Sequence, residues 1–203
     1  MENKIARIIS FVFHPLLMPI YTFSILFNMQ TFFASILTFE GKMMILFFVF
    51  VSTFVLPATL TYILLRKKLI SSIYLEKREE RSIPFLFTII FYYGTWFMLK
   101  NANIPTIYLL IMLASTLIII LAFFVNFKFK ISMHTLAIGA LTGIIFGISC
   151  RFGIEMLGTI LILIFISGLV GYSRLALNAH RSVEVYSGYL LGFCSMLGLL
   201  LIA

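Results

Sequence analysis

Apolar residues in this 203-residue chain gather in long runs, broken by short polar or charged stretches. The runs fall near 8–28, 43–65, 84–99, 106–127, 134–150, 154–172 and 180–202. They approach the roughly 20 residues that carry an α-helix across a hydrocarbon core. None alternates polar and apolar positions with the period that a membrane β-strand needs. Since a backbone in lipid must satisfy its own hydrogen bonds, the pattern predicts an all-α fold, a polytopic transmembrane helix bundle of six or seven spans. Two runs set that range: the first contains His14, Pro15 and Pro19, which kink a helix or make it re-entrant, and the third is short.

No linker or low-complexity tract divides the runs, so residues 1–203 read as a single integral membrane domain. The sizeable polar connection, RKKLISSIYLEKREERSIP from Arg66 to Pro84, is expected to form a short interfacial helix in its middle. Gly139, Gly143 and Gly147 recur at every fourth position of one helix, and Gly188 with Gly192 does so on the last, as close-packing faces do. Arg151 and Glu155 read as an ion pair in a short loop. The N-terminus has a basic start followed by an apolar stretch, but no small-residue cleavage site follows, so it reads as a retained helix.

Composition narrows the function. With 62% hydrophobic and 11% charged residues the chain lies outside the range of soluble domains. The formal charge of +8 sits at helix ends, which favours anionic lipid headgroups as partners and not nucleic acid. Cys150 and Cys194 have no metal-ligand spacing. The chain contains no Asp, and its seven acids are all Glu. That argues against a metal site and against the Asp-rich diphosphate–metal motifs of membrane prenyltransferases, and no cofactor is implied. A haem protein would use His14, His134 and His180 facing across a bundle, yet two of these lie at helix ends beside arginines, an arrangement that suits anions better.

Three polar clusters remain: Lys77 to Pro84, KISMH from Lys130 to His134, and SRLALNAHRSVE from Ser173 to Glu184. Two runs separate each from the next, so all three are expected on one membrane face. His180 and Glu184 are four apart, which on a helix puts them on one face, the carboxylate holding one ring nitrogen while the other is left to attack. Arg174, with Arg78 or Arg81, offers forked donors to phosphate oxygens. Ser132 adds a hydroxyl, the amides that open the next helix favour an anion, and His134 is a second histidine for proton transfer. His14, beside Pro15, reads as structural.

These clusters resemble the signature of the type 2 phosphatidic acid phosphatase, or lipid phosphate phosphatase, superfamily: KxxxxxxRP, PSGH and SRxxxxxHxxxD. The third motif is matched by Ser173, Arg174 and His180, with Glu184 in place of Asp. The second keeps Ser132 and His134 but has Ile131 and Met133 for Pro and Gly. In the first, Pro84 is preceded by Ile83, and the family's Lys position falls on Glu76, with Lys77, Arg78 and Arg81 as nearby substitutes. The 46 residues between Pro84 and Ile131, and the 38 between His134 and Ser173, suit two-helix excursions. The resemblance covers about 77–203 as a phosphatase-like core, with two extra helices before it.

The resemblance implies a metal-independent lipid phosphatase. In it His180 attacks phosphorus to form a phosphohistidine, Glu184 orients it, and His134 protonates the leaving alcohol and then activates water. Arg174, Arg81, Arg78, Lys77, Ser132 and Ser173 are the implied phosphate ligands. An amphiphile with its phosphate at headgroup depth suits the clusters, which gives phosphatidic acid, phosphatidylglycerol phosphate or an isoprenyl diphosphate as substrate. The other class that fits is a lipid-binding or transport membrane protein without enzymatic activity, built on the same scaffold. Twelve of the 15 Lys and Arg residues fall on the face expected to carry the clusters, which predicts a multi-pass protein of the inner cell membrane with its site toward the cytoplasm.

Overall fold

A computed structural model describes residues 2–73, 75 and 77–202. It is all-helical, with no strand among the described residues. Seven helical segments are long and apolar enough to cross a membrane: Asn3–Asn28, Phe39–Arg66, Glu79–Lys100, Thr106–Asn126, Met133–Phe152, Leu157–Ala176 and Ser182–Ile202. This is a multi-pass helical membrane protein, at the upper end of the range expected from the apolar runs.

The first segment is broken where its prolines stand. Helix α1 (Glu2–Val12) stops before His14, which accepts the Leu16 amide on Nδ1 at 3.3 Å and so caps a 3-10 turn, Pro15–Leu17, ahead of α2 (Met18–Asn28). A short α3 (Phe32–Ser35) follows. The second segment runs from α4 (Phe39–Phe50) into α5 (Leu56–Arg66) through a π-helical stretch, Val51–Val55. Pro57 accounts for the wide turn, because it has no amide hydrogen for the Thr53 carbonyl and its ring would crowd that oxygen. The remaining segments are α6 (Ser82–Lys100), α7 (Thr106–Asn126), α8 (Met133–Phe152), α9 (Leu157–Ala176) and α10 (Ser182–Ile202). Helix α6, 19 residues long, is longer than its apolar run. The 66–84 connection forms only one 3-10 turn, Glu79–Arg81, among its described residues, in place of the interfacial helix expected there.

The chain divides into two compact units, one of residues 19–128 and one of 1–18 with 129–203. In the first, Phe23, Phe27 and Phe33 surround Tyr108, whose ring is fully buried and lies 5.1 Å from that of Phe27. In the second, α8 is the central helix: every residue from Ile138 to Ile145 is buried, and neither α9 nor α10 has such a run.

Helices α8 and α10 run parallel and nearly touch along their glycine faces. A methyl group on Gly143 would come within 2.5 Å of the Phe193 carbonyl oxygen, and one on Gly188 within 2.7 Å of the Ser132 carbonyl oxygen. Gly139 faces Tyr189 and Gly192 faces Leu136 in the same way. Parallel packing puts the N-terminal ends of α8 and α10 side by side, and the antiparallel α9 between them in sequence delivers its C-terminal end there too. At the opposite end Arg151 Nη1 donates to the Leu200 carbonyl at 2.6 Å, capping α10 instead of pairing with Glu155.

Candidate functional site

The residues of the third cluster are placed by the way α9 ends. Ala179 donates its amide to the Arg174 carbonyl at 3.1 Å and Asn178 to that of Leu175 at 2.9 Å, the paired bonds of a Schellman cap. Asn178 takes the left-handed conformation the cap needs, with φ of 50°. The cap folds the chain back, so the spacing from Arg174 to His180 returns both to one helix end.

His180 precedes α10 by two residues and is not on it. It still meets Glu184: Nδ1 lies 2.7 Å from Oε2, with only 4% of the His180 side chain exposed. Glu184 stands at the third position of α10, and Oε2 also accepts the Arg181 amide at 3.4 Å, the acidic half of a capping box. One carboxylate thus opens the helix and orients the imidazole. The longer reach of Glu over Asp suits both tasks.

The second cluster is docked onto this end by the backbone. Ser132 donates its amide to the Glu184 carbonyl at 3.1 Å. Its own side chain is fully buried and caps α8, Oγ accepting the Thr135 amide at 3.5 Å. Lys130 Nζ donates to the carbonyl of Ala179, next to His180, at 3.3 Å. Met133, where the family motif has Gly, is the first residue of α8 and is half-buried.

His134 Nε2 lies 3.1 Å from the carbonyl oxygen of Ser10. A carbonyl only accepts, so Nε2 carries the hydrogen and Nδ1 is the nitrogen through which a neutral His134 exchanges a proton. The ring also meets His14 edge-on, centroids 5.5 Å apart, and lies within electrostatic reach of Arg174 and His180. Arg174 Nη1 donates to Ser10 Oγ at 3.1 Å; Ser10 Oγ lies 3.1 Å from the Oγ of buried Ser173, which donates to the Val170 carbonyl at 2.7 Å. The Nε of Arg174 is buried with no acceptor among the described residues, and so is the hydroxyl of Ser187 on α10.

His180, Glu184, His134, Arg174, Ser132 and Ser173 therefore gather in one unit. Lys77, Arg78 and Arg81 belong to the other, and Glu76 lies outside the described residues. Lys77 is exposed and 3.7 Å from Glu80, Arg78 is 3.9 Å from Glu79, and Arg81, 6% exposed, donates Nε to the Leu75 carbonyl at 2.8 Å. Among the described residues no three His, Cys, Asp or Glu side chains converge as a metal site.

Sequence reasoning passed over Ser10, because it set the first two helices outside the resemblance. The available signal was Ala6 and Ser10, two small residues one turn apart in an otherwise bulky helix, and both are buried. His14, read as structural, caps a turn and also packs against His134. Compared with family models, curated proteins and solved structures, the chain matches none.

Proposed function

We propose that the end of the bundle carrying His180 hydrolyses the phosphate or diphosphate of a membrane lipid without a metal ion. The observation that carries the reading is the 2.7 Å bond between His180 Nδ1 and Glu184, made by a nearly buried imidazole at a helix end that also carries Arg174. A carboxylate on Nδ1 fixes the tautomer with its lone pair on Nε2 and stabilises the cation that forms when Nε2 bonds to another atom.

In the first step Nε2 attacks phosphorus, the bond to the lipid oxygen breaks, and protonated His134 gives its Nδ1 proton to that oxygen. In the second, neutral His134 takes a proton from water at Nδ1, the water oxygen attacks the phosphohistidine, and phosphate leaves as His180 is restored. Arg174 supplies positive charge for the equatorial oxygens, where most of the rate enhancement in phosphoryl transfer arises. A phosphate at headgroup depth fits the placement of these residues at helix ends, so phosphatidic acid, phosphatidylglycerol phosphate and isoprenyl diphosphates are the substrate classes proposed. The basic bias along the sequence supports an inner membrane protein with this end toward the cytoplasm. Lys77, Arg78 and Arg81, the further phosphate donors that the resemblance implies, are left out of this site, and their own substitutions test that choice.

A second reading, a lipid-phosphate binding or transport protein without turnover, is favoured by the 4% exposure of His180 and by Met133 at the start of α8. Phosphate release by purified protein in detergent with EDTA, from a panel of the three lipid classes, separates the two. Release by the wild type that disappears in His180→Ala supports hydrolysis. Saturable lipid binding without release supports the second reading.

A further inference from the structure

Ser10 touches two of the groups in the proposed site, one through its backbone and one through its side chain. Its carbonyl accepts from His134 Nε2, and its hydroxyl accepts from Arg174 Nη1, both at 3.1 Å. The hydroxyl hydrogen has one consistent direction, because Ser173 donates to Val170 and so presents a lone pair to Ser10. The relay from guanidinium through Ser10 and Ser173 to the Val170 carbonyl is satisfied at every step. It links residues 164 positions apart in sequence.

A guanidinium has two faces for a forked acceptor, and Nη1 lies on only one of them. With Nη1 committed to Ser10, the side-on edge of Nε and Nη2 remains, and Nε is the atom that is buried without an acceptor among the described residues. Such an edge matches two oxygens of a phosphate. A long arginine side chain free to rotate would lose more rotamer entropy on binding than one already held.

We infer that Ser10 is a positioning residue of this site, its hydroxyl fixing Arg174 so that the Nε–Nη2 edge faces the phosphate, while its carbonyl fixes His134. This rests on the phosphate reading above and extends it to α1. The N-terminal helix is then part of the site and not an addition to it.

The test uses full-length protein in detergent with two readouts: hydrolysis of phosphatidic acid, and the rise in unfolding temperature caused by inorganic phosphate, which needs no turnover. Ser10→Ala keeps a helix-favouring residue that fits the space. It is expected to weaken phosphate binding about tenfold and to raise KM more than it lowers kcat, with Ser10→Thr restoring most of the loss. Added to Arg174→Ala, it is expected to cost nothing further, because it acts through that arginine. If Arg174→Ala loses phosphate while Ser10→Ala binds as the wild type does, or if the two losses multiply independently, the positioning role is overturned and the phosphate reading stands. If the wild type neither hydrolyses the lipid nor responds to phosphate, the reading itself fails and takes the inference with it.

Discussion

Arg174 and Arg81 each stand at a helix end, and they are held in different ways. Arg81 donates to Leu75, six residues before it, and its neighbours behave alike: Glu80 accepts from Ser71 at 2.9 Å, nine residues back, and Lys77 meets Glu80. Asn126, 48 residues farther along the chain, donates to the Arg78 carbonyl at 3.0 Å. In the other unit, Ser10 with Ser173, Ser10 with Arg174, His134 with Ser10 and Lys130 with Ala179 join residues from 49 to 164 apart. A local network forms wherever one loop can bond to itself. A network drawn from three helices and the loops beside them exists only once the fold has assembled; Arg174 Nε is buried in it without an acceptor among the described residues, as Asn126 Oδ1 is without a donor in the other unit. These bonds of Arg81, Glu80 and Lys77 stay within one loop, whereas those of Arg174 and Ser10 join helices far apart in sequence.

The largest contrast is expected in turnover. His180→Ala should reduce phosphate release by at least about a thousandfold, the range lost with a covalent nucleophile, whereas Lys77→Ala or Arg78→Ala should change it by less than about threefold. An equal loss in either lysine or arginine variant would break the comparison. Glu184→Gln comes next, at about a hundredfold in kcat with the helix cap kept by the amide oxygen, whereas Glu184→Ala should also lose roughly 1 kcal/mol of stability with the cap; both are readable from rates and unfolding of the same preparations.

Packing sharpens the contrast without reference to activity. Gly192→Ala drives a methyl group into the Leu136 carbonyl, whereas nothing lies within 4 Å of a methyl on Gly94 of α6. The first should destabilise the protein by about 1–3 kcal/mol in denaturant titrations, and the second should leave it within about 0.5 kcal/mol of the wild type. Arg81→Ala is the smallest effect on chemistry: it should lower stability by about 1–3 kcal/mol through the Leu75 carbonyl left behind, with turnover per folded molecule nearly unchanged. Loss of turnover at full stability would make Arg81 a phosphate ligand, as the resemblance implies.

Much of this was legible in the sequence. Apolar runs of membrane length set the helices, since hydrocarbon allows the backbone few alternatives, and the spacing of Gly139, Gly143, Gly188 and Gly192 marked the faces that pack. The pairing of His180 with Glu184 was also readable, though for a partly mistaken reason: the histidine lies before the helix, and a Schellman cap through Asn178 brings it into place. A left-handed asparagine in a polar loop has no periodic signature. Ser10 was hidden for a related cause. Its partners are distant in sequence, and one serine in an apolar helix looks like many others that bond only to their own backbone.

The central claim is that His180 carries the phosphoryl group. Rapid quenching of purified protein with phosphatidic acid labelled in its phosphate, followed by peptide mapping, tests it directly. The account predicts an acid-labile, base-stable label on His180 that is absent from His180→Ala. Phosphate release by the wild type with no label on His180, or with the label on another residue, would contradict it.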